Sequence, residues 1–261
     1  MSIPSFSLEG KVAIVTGSKR GIGRAIALAF AKAGADVAVC SRTVEDGELG
    51  AVADEIQGLG RRSLAVQADI SRRTDVDNLV QWVVDNLGGI DILVNNAAIL
   101  IAGPLMELSE KDWDKIIDND LKGYYLCCQA AGRRMVKQGG GNIISIASSS
   151  SIRASKNMGA YGTAKAGVVM LTRVLALELA SHNIRVNAII PYLTRTKMLN
   201  YLLNDQEALR KNVSRIPLGR IAEPEDIANT ALFLASQASS HTTGHTFRVD
   251  GGFNTSLSDA L

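Results

Sequence analysis

The segment Thr16-Gly17-Ser18-Lys19-Arg20-Gly21-Ile22-Gly23 narrows the folds open to this chain more than any other. It follows the apolar run Val12-Ala13-Ile14-Val15 and opens the amphipathic stretch Ile22 to Ala33, a succession of strand, glycine turn and helix. Glycines permit positive φ and let backbone N–H groups approach a ligand closely, while the helix start adds a partial positive charge. A turn in this setting suits a pyrophosphate, although a βα turn can also be glycine-rich for packing alone.

The rest of the chain repeats the same rhythm. Residues 12–16, 37–41, 64–68, 91–95, 142–147, 185–190 and 246–249 read as strands, with helical patterns between them. Strands alternating with helices are joined by crossovers and therefore run parallel. The expected fold is α/β: a doubly wound parallel sheet of about seven strands with helices on both faces and ligands at the strand C-terminal ends. With 261 residues, 46% of them hydrophobic, and no internal repeat or linker, the chain reads as one domain over 1–261. Residues 192–216 interrupt the rhythm before Pro217-Leu218-Gly219-Arg220 and are the expected substrate lid.

Charge and composition exclude several functions. Net charge is +2, and the pairs Arg61-Arg62 and Arg133-Arg134 read as solvated positions, so no nucleic-acid or anionic-membrane surface is expected. The apolar runs are too short to span a bilayer, and Met1 to Gly10 has no basic region followed by a hydrophobic core. The expectation is a soluble, cytoplasmic protein. Cys40, Cys127 and Cys128 are odd in number, sit in or beside apolar stretches and lack metal-ligand spacing; buried thiols in a reducing compartment follow. His182, His241 and His245 are scattered, so neither a metal site nor a His-based triad is expected.

Tyr161 and Lys165 lie four residues apart, which on a helix stacks a phenol and an ammonium on one face. A cation about 4 Å away contributes up to ~4 kcal/mol at an effective dielectric of ~20, enough to lower a phenol from pKa ~10 by roughly three units. Such a Tyr would exchange protons near neutral pH. The same spacing also occurs on solvated helix faces.

Together with the glycine turn, these residues resemble the short-chain dehydrogenase/reductase family, and the likeness runs from Lys11 to Phe253. It includes Asp69 after the third apolar run, Asn95-Asn96-Ala97-Ala98 after the fourth, and Ser148 thirteen residues before Tyr161. It continues with Arg185-Val186-Asn187 leading to Pro191, and with Val249-Asp250-Gly251-Gly252. The resemblance implies a Rossmann-type oxidoreductase that passes hydride between a nicotinamide cofactor and a carbonyl or alcohol, as a homo-oligomer, by family expectation a tetramer. It implies that Ser148 bonds the substrate oxygen, Tyr161 gives or takes the proton, and Lys165 lowers the Tyr pKa and holds the nicotinamide ribose. Gly17, Ser18, Lys19, Arg20, Gly21, Ile22 and Gly23 would form the phosphate turn. Asp69 and Ile70 would flank adenine, Asn96, Ala97 and Ala98 would line the ribose, and Thr194 and Thr196 would sit near the carboxamide. Asp69 also reads as part of a helix N-cap ahead of Ser71.

Cofactor choice follows from charge. The second strand, Val37-Ala38-Val39-Cys40, runs into Ser41-Arg42, where an NAD-preferring enzyme places a carboxylate for the ribose hydroxyls. Here that acid is missing, and Arg42, Arg20 and Lys19 could surround an additional phosphate, as in NADP-preferring relatives, or Lys19 and Arg42 could simply be solvated; NADP(H) is expected over NAD(H). Glu45 and Asp46 lie too far along to be that acid unless a loop returns one.

The chain departs from the family at two places. Relatives carry Asn seven residues after a Trp like Trp113, where it supports a proton relay from the active-site Lys; this chain has Asp120 there, beside Asn119. An ionised carboxylate accepts but does not donate, so Asp120 would be protonated, pair with Lys165, or leave the relay to backbone. The second is Tyr192 after Pro191, where relatives have Gly; the ring either floors the pocket or packs under the lid. The resulting expectation is an NADP(H)-dependent oxidoreductase of ketones or secondary alcohols. A 3-oxoacyl-thioester reductase is the narrower alternative, with Arg133, Arg134, Arg173, Lys197 and Lys211 as carrier-facing candidates. A non-catalytic dinucleotide sensor is the competing class.

Overall fold

The computed structural model describes residues 6–255; both ends of the unit expected over 1–261 lie outside the described residues. Seven strands form one sheet: β1 (Val12–Thr16), β2 (Asp36–Ser41), β3 (Ser63–Gln67), β4 (Ile92–Asn95), β5 (Gly141–Ile146), β6 (Ile184–Pro191) and β7 (Thr246–Val249). Each starts within two residues of its sequence-based expectation, because a strand buried on both faces is a continuous apolar run. β1 and β2 are buried throughout, whereas the edge strand β3 alternates.

The sheet order is β3-β2-β1-β4-β5-β6-β7, with all neighbours parallel. Helices α1 (Gly21–Lys32), α2 (Glu48–Gly58) and α9 (Pro224–Ala235) cover one face, and α3 (Arg73–Leu87), α5 (Gly123–Gln138) and α6 (Gly159–Leu179) cover the other. Ile26, Phe30, Leu49, Ile56 and Ile227 fill the first interface, and Val76, Leu79, Tyr124, Met135 and Val168 the second. Each such side chain, fully buried, contributes about 1.5–3 kcal/mol. Cys40, Cys127 and Cys128 are buried and free, as the sequence implied.

Chain order reverses between β1 and β4, whose C-terminal ends lie side by side with Val15 opposite Val94. That reversal opens the crevice in which open α/β sheets bind ligands. Between α4 (Glu110–Ile117) and α5 the helix widens into a single π-helical turn, Asp118–Lys122, which buries Asn119 and Asp120. The segment 192–216 carries α7 (Asn200–Leu203) and α8 (Gln206–Val213), and packs Tyr192, Leu199, Leu202, Leu209 and Ile216 into an apolar cluster of its own. Among the described residues no helix is long and apolar enough to cross a membrane.

Candidate active site

The glycine turn and the loop after β4 fit each other closely. Gly17 has φ +63°, and a Cβ there would stand 2.6 Å from the Ala97 Cα; a Cβ on Gly23 would stand 2.5 Å from Asn96 Nδ2. The Asn96 amide donates to the carbonyls of Thr16 at 2.9 Å and Gly17 at 3.1 Å. Thr16 Oγ1 accepts from the N–H groups of Asn96 at 3.0 Å and Ala97 at 3.1 Å. Ser18 points inward: its hydroxyl donates to the Val15 carbonyl at 2.7 Å and accepts from Cys40 N–H at 2.9 Å. The side chain of Ser18 thus fastens the turn to β2 and leaves only its backbone for a ligand. The turn remains a bare backbone cradle at the start of α1, the arrangement a pyrophosphate requires. Thr196 lies over Gly21, and a cavity of about 280 Å³ opens beside Arg20, Gly21, Thr196 and Lys197.

The cations are placed differently from one another. Arg42 is exposed and its guanidinium makes no ion pair among the described residues. Lys19, by contrast, donates to Thr43 at 2.8 Å and to Asp46 at 2.5 Å, which holds the Asp46 carboxyl below its ordinary range. The loop after β2 does return an acid, but onto Lys19 rather than to the end of the strand. Arg20 and Lys197 both pair with Glu48, at 3.5 and 2.7 Å. Asp69 caps locally: its carboxylate accepts from Ser71 N–H at 3.0 Å and Ser71 hydroxyl at 2.7 Å. Ile70 is 3% exposed, packs on Gly123 of α5 and belongs to the core cluster on that face of the sheet.

At the ends of β5 and α6 the expected catalytic residues converge. Ser148 follows β5; its side chain accepts from Ser150 N–H at 3.2 Å and acts on the Tyr161 phenol, favouring its ionised form. Lys165 is 1% exposed, with Nζ 3.0 Å from the Tyr124 hydroxyl, 3.2 Å from the Ile146 carbonyl and 3.5 Å from Asp120 Oδ2. Asp120 is wholly buried and accepts from Ile99 N–H at 2.9 Å through Oδ1; Oδ2 has only the ion pair. Burial raises the Asp120 carboxyl and lowers the Lys165 ammonium, each opposed by the attraction of the other.

The Tyr161 phenol is raised in this geometry, by burial first and by the Asp120 charge second, with Ser148 opposing, and Lys165 is not among the groups that shift it. The ammonium sits 5.7 Å from the Tyr161 ring centroid, drawn inward by Tyr124, Ile146 and Asp120. Sequence reasoning missed Tyr124. It lies in the apolar stretch Tyr124-Tyr125-Leu126-Cys127-Cys128 and reads as core, its one signal being the four-residue offset from Asp120.

The segment that follows β6 begins with Tyr192 and carries Thr194. Thr194 is 6% exposed and its hydroxyl donates to the Tyr192 carbonyl at 3.1 Å. Tyr192 stacks on Phe253 with centroids 3.6 Å apart and planes 7° apart, and Arg153 covers the other ring at 4.8 Å. The aromatic in place of Gly is therefore held by a stack and by the apolar cluster of the segment that follows β6.

A family profile described as enoyl-(acyl carrier protein) reductase matches residues 16–254. The chain is 40% identical over 254 residues to 2-dehydro-3-deoxy-D-gluconate 5-dehydrogenase of Escherichia coli, covering 97% of this chain and 99% of that one. The chain belongs to the short-chain dehydrogenase/reductase family. It is also 40% identical over 242 residues to a 3-oxoacyl-[acyl-carrier-protein] reductase of Staphylococcus epidermidis, covering 93% and 98% of the two chains. Among solved structures, a gluconate 5-dehydrogenase from Burkholderia cenocepacia in complex with NADP and tartrate superposes with a TM-score of 0.93 at 31% identity, over 97% of this chain and 99% of that one. The short-chain dehydrogenase/reductase fold thus extends over nearly the whole described chain.

Proposed function

We propose that this short-chain dehydrogenase/reductase is an NADP(H)-dependent oxidoreductase that interconverts a ketone and a secondary alcohol. The observation that carries the reading is the meeting of Ser148, Tyr161 and Lys165 at the strand ends that adjoin the bare glycine cradle. When bound, the nicotinamide would supply the hydride. Gly17, Gly21 and Gly23 would cradle its pyrophosphate, Asn96, Ala97 and Ala98 its ribose, and Arg42 its additional phosphate. Ser148 would bond the substrate oxygen, and Tyr161, held protonated by burial, would donate the proton in the reducing direction. Lys165 and Asp120 would hold the charge beneath that phenol. Relatives named for a sugar-acid dehydrogenase and for an oxoacyl reductase support carbonyl chemistry of this kind. NADPH absorbance followed across a panel of sugar-derived keto acids and 3-oxoacyl thioesters should reveal turnover. Tight NADPH binding with no turnover of any carbonyl would favour the sensor.

The chain is further proposed to form a homo-oligomer through α5 and α6. Met170, Val174 and Leu177 repeat along one exposed stripe of α6, Leu177 being 83% exposed, with Tyr125 on α5 also exposed. Light scattering should return a multiple of the 27.7 kDa chain, and a monomeric mass would contradict this.

A further inference from the structure

Tyr124 lies in the first turn of α5 and is wholly buried. For packing among Leu126, Cys127 and the β5 side chains a phenylalanine would serve, and a buried hydroxyl costs free energy unless it is bonded. Its hydroxyl is fully used: the oxygen accepts from Lys165 Nζ at 3.0 Å and the O–H donates to the Ile146 carbonyl at 3.2 Å. Lys165 Nζ donates to that same carbonyl at 3.2 Å, so ammonium, hydroxyl and carbonyl close a triangle. The carbonyl belongs to the end of β5, two residues before Ser148.

Several charged and titratable groups face this triangle. Asp120 comes from the π-helical turn, Tyr161 from α6, Ser148 from the β5 end, Cys127 and Cys128 from α5, and Tyr201 from α7 acts on Tyr161. Burial, with Asp120, keeps the Tyr124 phenol far above its ordinary range. It therefore stays protonated, bonding Lys165 only through its lone pairs and favouring the ammonium over the neutral amine.

We propose that Tyr124 is a positioning residue of this active site: its hydroxyl pins the Lys165 ammonium to the end of β5 that carries Ser148. The pin fixes proton-holding lysine and substrate-bonding serine in one register and offsets part of the cost of burying the charge. This rests on the oxidoreductase reading above. Without the pin Lys165 keeps the Ile146 carbonyl, the longer contact to Asp120 and the aromatic faces at positions 124 and 161, but loses its shortest hydrogen bond, so its pKa falls and its position loosens.

The test is Tyr124→Phe, which retains the buried ring and removes one oxygen. A hydrogen bond to a charged group is worth about 1.5–3 kcal/mol, so kcat for carbonyl reduction should fall roughly ten- to hundredfold while KM for the carbonyl stays within about twofold. The alkaline limb of the pH–rate profile should move to lower pH, because the group that must stay protonated releases its proton sooner. In cofactor-free protein, a 13Cε NMR titration of Lys165 should give a lower pKa for the variant than for the parent. Superimposable pH–rate profiles with an unchanged Lys165 titration would overturn the proposal and leave Tyr124 a packing residue. If the parent reduces no carbonyl, the oxidoreductase reading fails by itself, and the Lys165 titration still decides whether the pin exists.

Discussion

In the proposed function Asp120 would set the proton balance of the site. Its buried charge stabilises the Lys165 ammonium and opposes ionisation of the Tyr161 phenol. A Tyr held protonated is a ready acid for carbonyl reduction and a reluctant base for alcohol oxidation. Asp120→Asn removes that charge, and since Asp120 raises the Tyr161 pKa, its loss lowers it. Oxidation by the variant should therefore rise at lower pH than in the parent, by on the order of one pH unit. Superimposable pH–rate curves for the two proteins would restrict Asp120 to its bond with Ile99 N–H. The Tyr161–Lys165 pairing was legible from spacing, since four residues on a helix bring two side chains to one face. Where Nζ points was not, because its partners arrive from β5, from α5 and from a π-helical turn that no local pattern announced.

The strands and the glycine turn were legible to within a residue or two because their signals are local: apolar runs buried on both faces, and glycines where a Cβ would collide with the β4 loop. The loop between β2 and α2 was legible only in part. Its bare strand end and Arg42 follow from the sequence, but the return of Asp46 onto Lys19 depends on loop geometry and leaves Lys19 partly neutralised. Arg42 has no ion pair among the described residues, and in the proposed function it would be the residue on which nucleotide choice turns. Arg42→Asp removes a phosphate partner and installs an acceptor for a ribose hydroxyl. Loss of one charge-assisted contact should shift the ratio of kcat/KM for NADPH over NADH by roughly ten- to hundredfold toward NADH. A parent enzyme that already favours NADH in steady-state kinetics would contradict the argument.

Across the molecule, strand order explains how residues distant in sequence come together. Gly17 leaves β1, Asn96 leaves β4 and Ser148 leaves β5, and these three strands are neighbours in the sheet. Alternating strand and helix signals foretold parallel connections, and the motifs at the strand ends located the crevice. The stack of Tyr192 on Phe253 could not be foreseen, because it joins the residue after β6 to a turn 61 positions later in the chain. In the proposed function this assembly serves one proton transfer at Tyr161. The direct measurement compares the parent with Tyr161→Phe, recording NADPH dissociation constant and turnover on the same carbonyl. The ring is retained and only the hydroxyl is lost, so NADPH binding should stay within a few-fold while turnover falls by about 10²–10⁴, the usual contribution of a positioned acid. Turnover by the Phe variant close to that of the parent would contradict the assignment of Tyr161 as proton donor.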